Sequence, residues 1–257
     1  MTAILIIALN TLRESIRSKI MYSLLFFAIA VVLVASFFAN ATIGDQIIVI
    51  KDFGLFALSL FTVAYTVIAG SSLLYKELSR KTVFNILSKP VRRGDFVIGK
   101  FLGMLITVTL MLLAMSCGLI LFLAMLEGRL PLELLAATLG IFWQLVIVCA
   151  AAIFFSSIVV TPLLSGAFTF GIYLAGRSTE YLLFFVEKNN VEGLSAKVLN
   201  TVYILLPHLN SLDVSDQAVY QEAISGSFYL WSSLYSCGYA VLLLVVSQLC
   251  FTRKEFH

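Results

Sequence analysis

Apolar positions in this chain seldom alternate with polar ones; they gather into long unbroken runs. Residues 20–39, 53–74, 101–126, 134–160 and 228–251 contain no Asp, Glu, Lys, Arg or His. About 20 apolar residues rising ~1.5 Å each cross the ~30 Å hydrocarbon layer of a bilayer. Each run is therefore read as a membrane-spanning helix. Residues 163–176 form a sixth run that is too short by itself. Continued to residue 186 it spans, and it then carries Arg177 and Glu180 three apart on one helical face, where the two charges can pair. The pattern predicts an all-α integral membrane protein with six transmembrane helices in one domain, over 20–39, 53–74, 101–126, 134–160, 163–186 and 228–251. The first run follows Lys19 and lacks a small-x-small cleavage site, so it is read as a span and not as a leader.

Three of the segments between the runs have a pattern of their own. In residues 1–19, Ile4, Leu5, Ala8, Leu12 and Ile16 recur at helical spacing, with Asn10, Arg13, Glu14 and Arg17 largely on another face. This predicts an amphipathic helix lying in the headgroup layer. In residues 75–100, Tyr75, Leu78, Thr82, Val83 and Ile86 share one face, while Lys76, Glu77, Arg80 and Lys81 line another. Glu77 precedes Lys81 by four, the favourable order for a helical ion pair. Pro90 should stop that helix near Ser88, and Arg92, Arg93 and Gly94 make a basic turn back to the membrane. In the outer segment 187–227, the apolar stretch 198–206 is too short to span and reads as a re-entrant or interfacial helix stopped at Pro207.

Composition and charge sharpen this reading. Of the 257 residues 61% are hydrophobic and 12% charged, with mean hydropathy +1.03. Soluble domains carry about 25% charged residues, so this chain cannot cover itself in water. A net charge of +3 gives no reason to expect a nucleic-acid partner. The placement of the charges is more telling. With the N-terminus in the cytoplasm and six spans, 12 of the 17 Lys and Arg fall on the inside and 5 on the outside. Cytoplasmic loops favour Lys and Arg, so both termini are expected inside, in a cytoplasmic (inner) membrane. Cys117, Cys149, Cys237 and Cys250 all lie within apolar runs without metal-ligand spacing and read as small packing residues.

Candidate chemistry is sparse. Gly94-x-x-x-x-Gly99-Lys100 comes within one residue of a nucleotide-binding P-loop, but Phe101 stands where a Mg²⁺-ligating Ser or Thr is needed. The stretch also opens a membrane span instead of joining a strand to a soluble helix. Gly99 and Gly103 read better as a small-x-x-x-small contact with a neighbouring helix, and Lys100 as a side chain reaching up to the headgroups. His208, after Pro207 and with no second ligand nearby, reads as a polar surface or capping group. Gln144 and Gln248 are the polar candidates inside the five long spans, which hold no carboxylate. Ion-driven transporters keep ionisable groups at mid-membrane, so energy is expected to enter from elsewhere. No catalytic, cofactor-binding or metal site is expected in this chain.

The block Glu77…Arg80-Lys81-Thr82…Ile86-Leu87-Ser88-Lys89-Pro90-Val91-x-Arg93…Phe96…Gly99-Lys100 resembles the signature of ABC-2 type permeases, the membrane subunits of type V ABC exporters. Tyr203–Val214, "YILLPHLNSLDV", resembles the outer segment before the last span of that family. Many relatives have Gly where this chain has Lys81. The resemblance implies that the segment between spans two and three is a coupling helix seated on a separate ABC ATPase subunit. Glu77, Arg80, Lys81, Thr82, Phe84, Leu87, Pro90 and Arg93 would make that contact. It further implies that ATP and Mg²⁺ are held by the ATPase, and that a second permease copy, identical or related, completes a dimer in membrane lipid. The chain is thus expected to be a non-enzymatic permease subunit that exports or flips a cargo. The alternative is a non-transporting membrane scaffold of an envelope or pilus assembly machine. Phe26, Phe27, Phe61, Tyr65, Phe168 and Tyr173 are the candidate lining residues.

Overall fold

A computed structural model describes residues 2–39, 46–79, 93–159, 161–179, 181, 194–222 and 224–253. Helix α1 (Thr2–Ile16) is followed by α2 (Lys19–Ala39), α3 (Gln46–Ser79), α4 (Arg93–Glu127), α5 (Leu134–Ile158) and α6 (Pro162–Arg177). Then come α7 (Leu194–Leu205), a short 3₁₀ turn (Asn210–Leu212), α8 (Ser215–Val219) and α9 (Gly226–Arg253). No strand occurs among the described residues. Five of these helices, α2, α3, α4, α5 and α9, are long and apolar enough to cross a membrane.

The bundle is built around α5. Its residues Leu145–Ile153 are buried on every side, none more than 4% exposed. A helix that is apolar all round is stable only when surrounded, and here α3, α4, α6 and α9 all pack on it. The run Cys149-Ala150-Ala151-Ala152 keeps the helix thin enough for close approach. Cross-links between helices are polar. Ser116 on α4 and Thr138 on α5 share a hydrogen bond of 3.0 Å, and the Ser156 hydroxyl of α5 donates to the Ser71 carbonyl of α3 at 3.3 Å. Most other buried hydroxyls bond back along their own helix, as Thr66 does to the Thr62 carbonyl and Thr169 to the Ser165 carbonyl.

The helices begin and end for identifiable reasons. Gly128, at φ +70°, closes α4 in the left-handed conformation that favours glycine, and its N–H donates to the Ala124 carbonyl at 3.0 Å. Between α5 and α6, Val159 is extended, Thr161 is extended as the residue before a proline prefers, and Pro162 opens α6 in its first turn. Helix α6 returns beside α5, but its 16 residues reach only about 24 Å. That falls short of the sixth span expected over 163–186, of which residues 180 and 182–186 lie outside the described residues. Arg177 does not turn to Glu180 for its described ion pair: its Nη2 lies 2.7 Å from Asp213 Oδ2. Helices α3 and α4 start seven and eight residues ahead of the apolar runs at 53 and 101. Charged residues at a helix end do not stop a helix; they only leave the apolar pattern that revealed it.

Candidate functional site

The sequence placed its candidate contact surface between spans two and three. Arg80, Lys81, Thr82, Phe84, Leu87 and Pro90 lie outside the described residues. Glu77 is in the last turn of α3 and Arg93 opens α4. What is described is the mounting of that segment. Helices α3 and α4 have 34 and 35 residues, about 50 Å each. They pack on one another and on α5 along their length, so residues 80–92 join two stiff, well-anchored rods.

The α4 rod is gripped near its start. Helix α1 packs along it, with Ala8 and Thr11 buried in the seam. A Cβ on Gly99 would stand 2.9 Å from Ile7 Cβ, and one on Gly103 would stand 2.6 Å from the Ala8 carbonyl oxygen. On another side of the same helix, a Cβ on Gly94 would meet the Gln248 amide of α9 at 2.7 Å. The approach of both neighbours encloses this stretch. Lys100 is therefore only 2% exposed and does not reach out to headgroups as its position in the sequence suggested; its ammonium lies 5.8 Å from the centre of the Phe96 ring. The face of α1 turned away from α4 leaves Leu5, Ile6 and Leu9 exposed. The helix thus has two apolar stripes, one against protein and one open.

The opposite end of the bundle holds an ion cluster that sequence reading missed. Lys51 Nζ of α3 lies 2.8 Å from Glu127 Oε1 at the end of α4 and 3.2 Å from Glu133 Oε1 just before α5. Arg129 Nε lies 2.8 Å from Glu127 Oε2, and Arg129 Nη2 lies 3.5 Å from Glu133 Oε1. Lys51 is 2% exposed and Arg129 56%. The cluster ties three helix ends together. Its one signal in the sequence was local, the spacing of four between Arg129 and Glu133.

The stretch around Pro207 is a plug and not a loose loop. Leu209, Leu212 and Val214 are buried. The Leu209 N–H donates to the Gly176 carbonyl at 3.1 Å, and the Gln144 amide of α5 donates to the Leu209 carbonyl at 3.1 Å. Added Cβ atoms on Gly140 and Gly176 would meet the Leu212 and Pro207 carbonyl oxygens at 2.6 Å. His208 is half-buried: its backbone N–H donates to Tyr235 Oη at 2.9 Å, and its ring meets Tyr203 edge-on at 4.3 Å. Burial lowers its pKa below the ordinary 6.5, which favours the neutral ring. No group of three or more His, Cys, Asp or Glu among the described residues is arranged to hold a metal. Of the six lining candidates, Tyr65 and Tyr173 face inward, while Phe26, Phe27 and Phe168 lie on the surface and Phe61 is half-buried.

A family model described as ABC-2 family transporter protein matches residues 5–256. No curated protein matches the chain.

Proposed function

This chain belongs to the ABC-2 family of transporter proteins, and from that premise we propose that it is the permease subunit of an ATP-driven exporter whose ATPase is a separate polypeptide. The observation that carries the reading is the family match over nearly the whole chain. Two features support its finer parts. The spans hold no Asp, Glu, Lys, Arg or His between 53 and 74, 101 and 126, or 134 and 158, so a proton or ion relay through carboxylates or histidines has no stepping stones there. The basic segment 80–92 joins two rods about 50 Å long. A push on that segment is delivered to the packed core without being absorbed by bending.

In this mechanism the segment from Glu77 to Arg93 sits in a groove of the ATPase, and closure of two ATPases on ATP moves two such segments together. The bundle responds by shifting between two arrangements whose balance the nucleotide state sets. ATP and Mg²⁺ stay on the partner. The N-terminus, residues 80–92 and the C-terminus are cytoplasmic. Helix α1 lies at the inner headgroup layer with its open apolar stripe toward lipid, the run 163–186, of which α6 is the first part, makes the sixth crossing, and a second permease copy closes the pathway. The test is a charge reversal of Glu77 and Arg80, assayed on the purified permease–ATPase complex. Loss of the partner, or of permease-stimulated ATP hydrolysis, at an unchanged melting temperature of the permease is expected. Full coupled activity in the double variant excludes this role.

A further inference from the structure

A cleft of about 230 Å³ opens between α3, α6 and the stretch 210–216, at the end of the bundle away from α1. On α3 its wall follows one helical stripe from Asp52 to Ser59, seven residues and two turns apart, so both side chains are aimed into the same space. Tyr173 and Arg177 of α6 form the second wall, and Asp213 and Asp216 the third. Three carboxylates thus surround one guanidinium, and that guanidinium is committed to Asp213. Arg177 Nη2 lies 2.7 Å from Asp213 Oδ2, while Asp213 Oδ1 accepts from the Ser215 N–H at 3.0 Å and from its hydroxyl at 2.6 Å. Asp52 and Asp216 have no cationic partner among the described residues. Deeper in, the Ser59 hydroxyl is a second and independent sign. Ser59 is 8% exposed, and its Oγ is buried without a hydrogen-bond partner among the described residues, unlike Thr62 and Thr66 on the same helix, which bond back to their own backbone. A buried hydroxyl without a partner, in a cleft with two spare negative charges, fits a ligand that brings both N–H donors and positive charge.

We propose that this cleft binds a primary ammonium group, either of a small free amine or of a lipid headgroup. An ammonium has three donors, which matches two carboxylates at the rim and one hydroxyl at the floor, and the Tyr173 ring adds an aromatic wall of the kind cations favour. The volume holds an aliphatic chain of a few carbons beside the charged group. A metal ion fits less well, because no three ligating side chains are arranged for one among the described residues. The inference goes beyond the transport reading and does not rest on it, since binding at equilibrium needs neither ATP nor an ATPase.

The purified full chain in nanodiscs of phosphatidylglycerol alone should bind radiolabelled 1,4-diaminobutane saturably, and 1,4-butanediol should not displace it. D52N and D216N should each weaken binding about three- to five-fold, and the double variant should weaken it further than either alone. E222Q, an exposed acid outside the cleft, should leave binding unchanged. Asp52 and Asp216 are exposed, so these variants should keep the native melting transition; S59A, which removes only a hydroxyl, is a second variant that should weaken binding several-fold. Adding phosphatidylethanolamine separates the two sources: competition assigns the cleft to a headgroup, and its absence to a free amine. Binding that does not saturate, is unchanged in D52N/D216N, falls equally in E222Q or is matched by the diol overturns the proposal.

Discussion

Glycine does two different jobs in this bundle, and single substitutions separate them. At Gly103 a methyl group would press on the Ala8 carbonyl oxygen at 2.6 Å, a backbone atom that cannot step aside. At Gly171 nothing lies within 4 Å of the added Cβ. Overpacking in a tight seam costs about 1–3 kcal/mol, whereas Ala gains roughly 0.5–1 kcal/mol over Gly in an unobstructed helix. Gly103→Ala should therefore lower the melting temperature of the purified protein and loosen α1, while Gly171→Ala should leave it equal or higher. Equal effects at the two sites would show that the α1 seam contributes no stability. The sequence marked Gly99 and Gly103 as a small-residue pair, yet it could not say which helix they meet. That partner is α1, which the amphipathic pattern had assigned to the membrane surface; spacing reports a face, and only the fold reports what covers it.

Among elements, the ends of α3, α4 and α5 are held by charge as well as by packing. Lys51 is buried against Glu127, whereas Arg129 caps the same carboxylate from the exposed side. Removing one member of a buried pair leaves a charge without its partner, typically at about 3–5 kcal/mol, while an exposed pair is worth about 0–1 kcal/mol. Lys51→Met is expected near the lower bound, about 3 kcal/mol, since Arg129 still neutralises Glu127. Arg129→Gln should cost under about 1 kcal/mol. Thermal unfolding in detergent reads both, and Lys51→Met/Glu127→Gln should recover part of the loss. A larger effect at Arg129 than at Lys51 would reverse this ranking. The cluster was hidden in the chain because its members come from three helix ends, Lys51 and Glu127 standing 76 positions apart. Only the spacing of four between Arg129 and Glu133 gave a local sign of it.

At the scale of the molecule, the distribution of Lys and Arg and the bundle's geometry bear on orientation together. Residues near α1 and near 80–92 form one end; the Lys51 cluster, the Pro207 plug and the acidic cleft form the other. If the first is cytoplasmic, a Cys at position 129 or 222 should react with a membrane-impermeant maleimide in intact cells, with the four native cysteines replaced by Ala. A Cys at position 13 should react only after permeabilisation. Labelling of position 13 in intact cells would invert the molecule and remove the coupling role of residues 80–92. The plug has a further consequence for the whole. Because Gln144, Gly140 and Gly176 all seat the stretch 207–212, the backbone of this stretch is packed into the end of the bundle.

The chain itself determined that the protein is helical and membrane-embedded, since long uncharged runs have no stable home in water, and it located five spans, though not the seven and eight residues by which α3 and α4 begin ahead of their apolar runs. It also supplied the resemblance that the family match upholds. Tertiary structure alone decided which helix lies at the centre, which glycines touch backbone, and where Lys51, Lys100, Arg177 and Ser59 find themselves. The physical reason is the same in each case. Hydrophobic runs are a property of consecutive residues and can be read locally, whereas burial of a charge or a hydroxyl depends on neighbours brought in from distant parts of the chain.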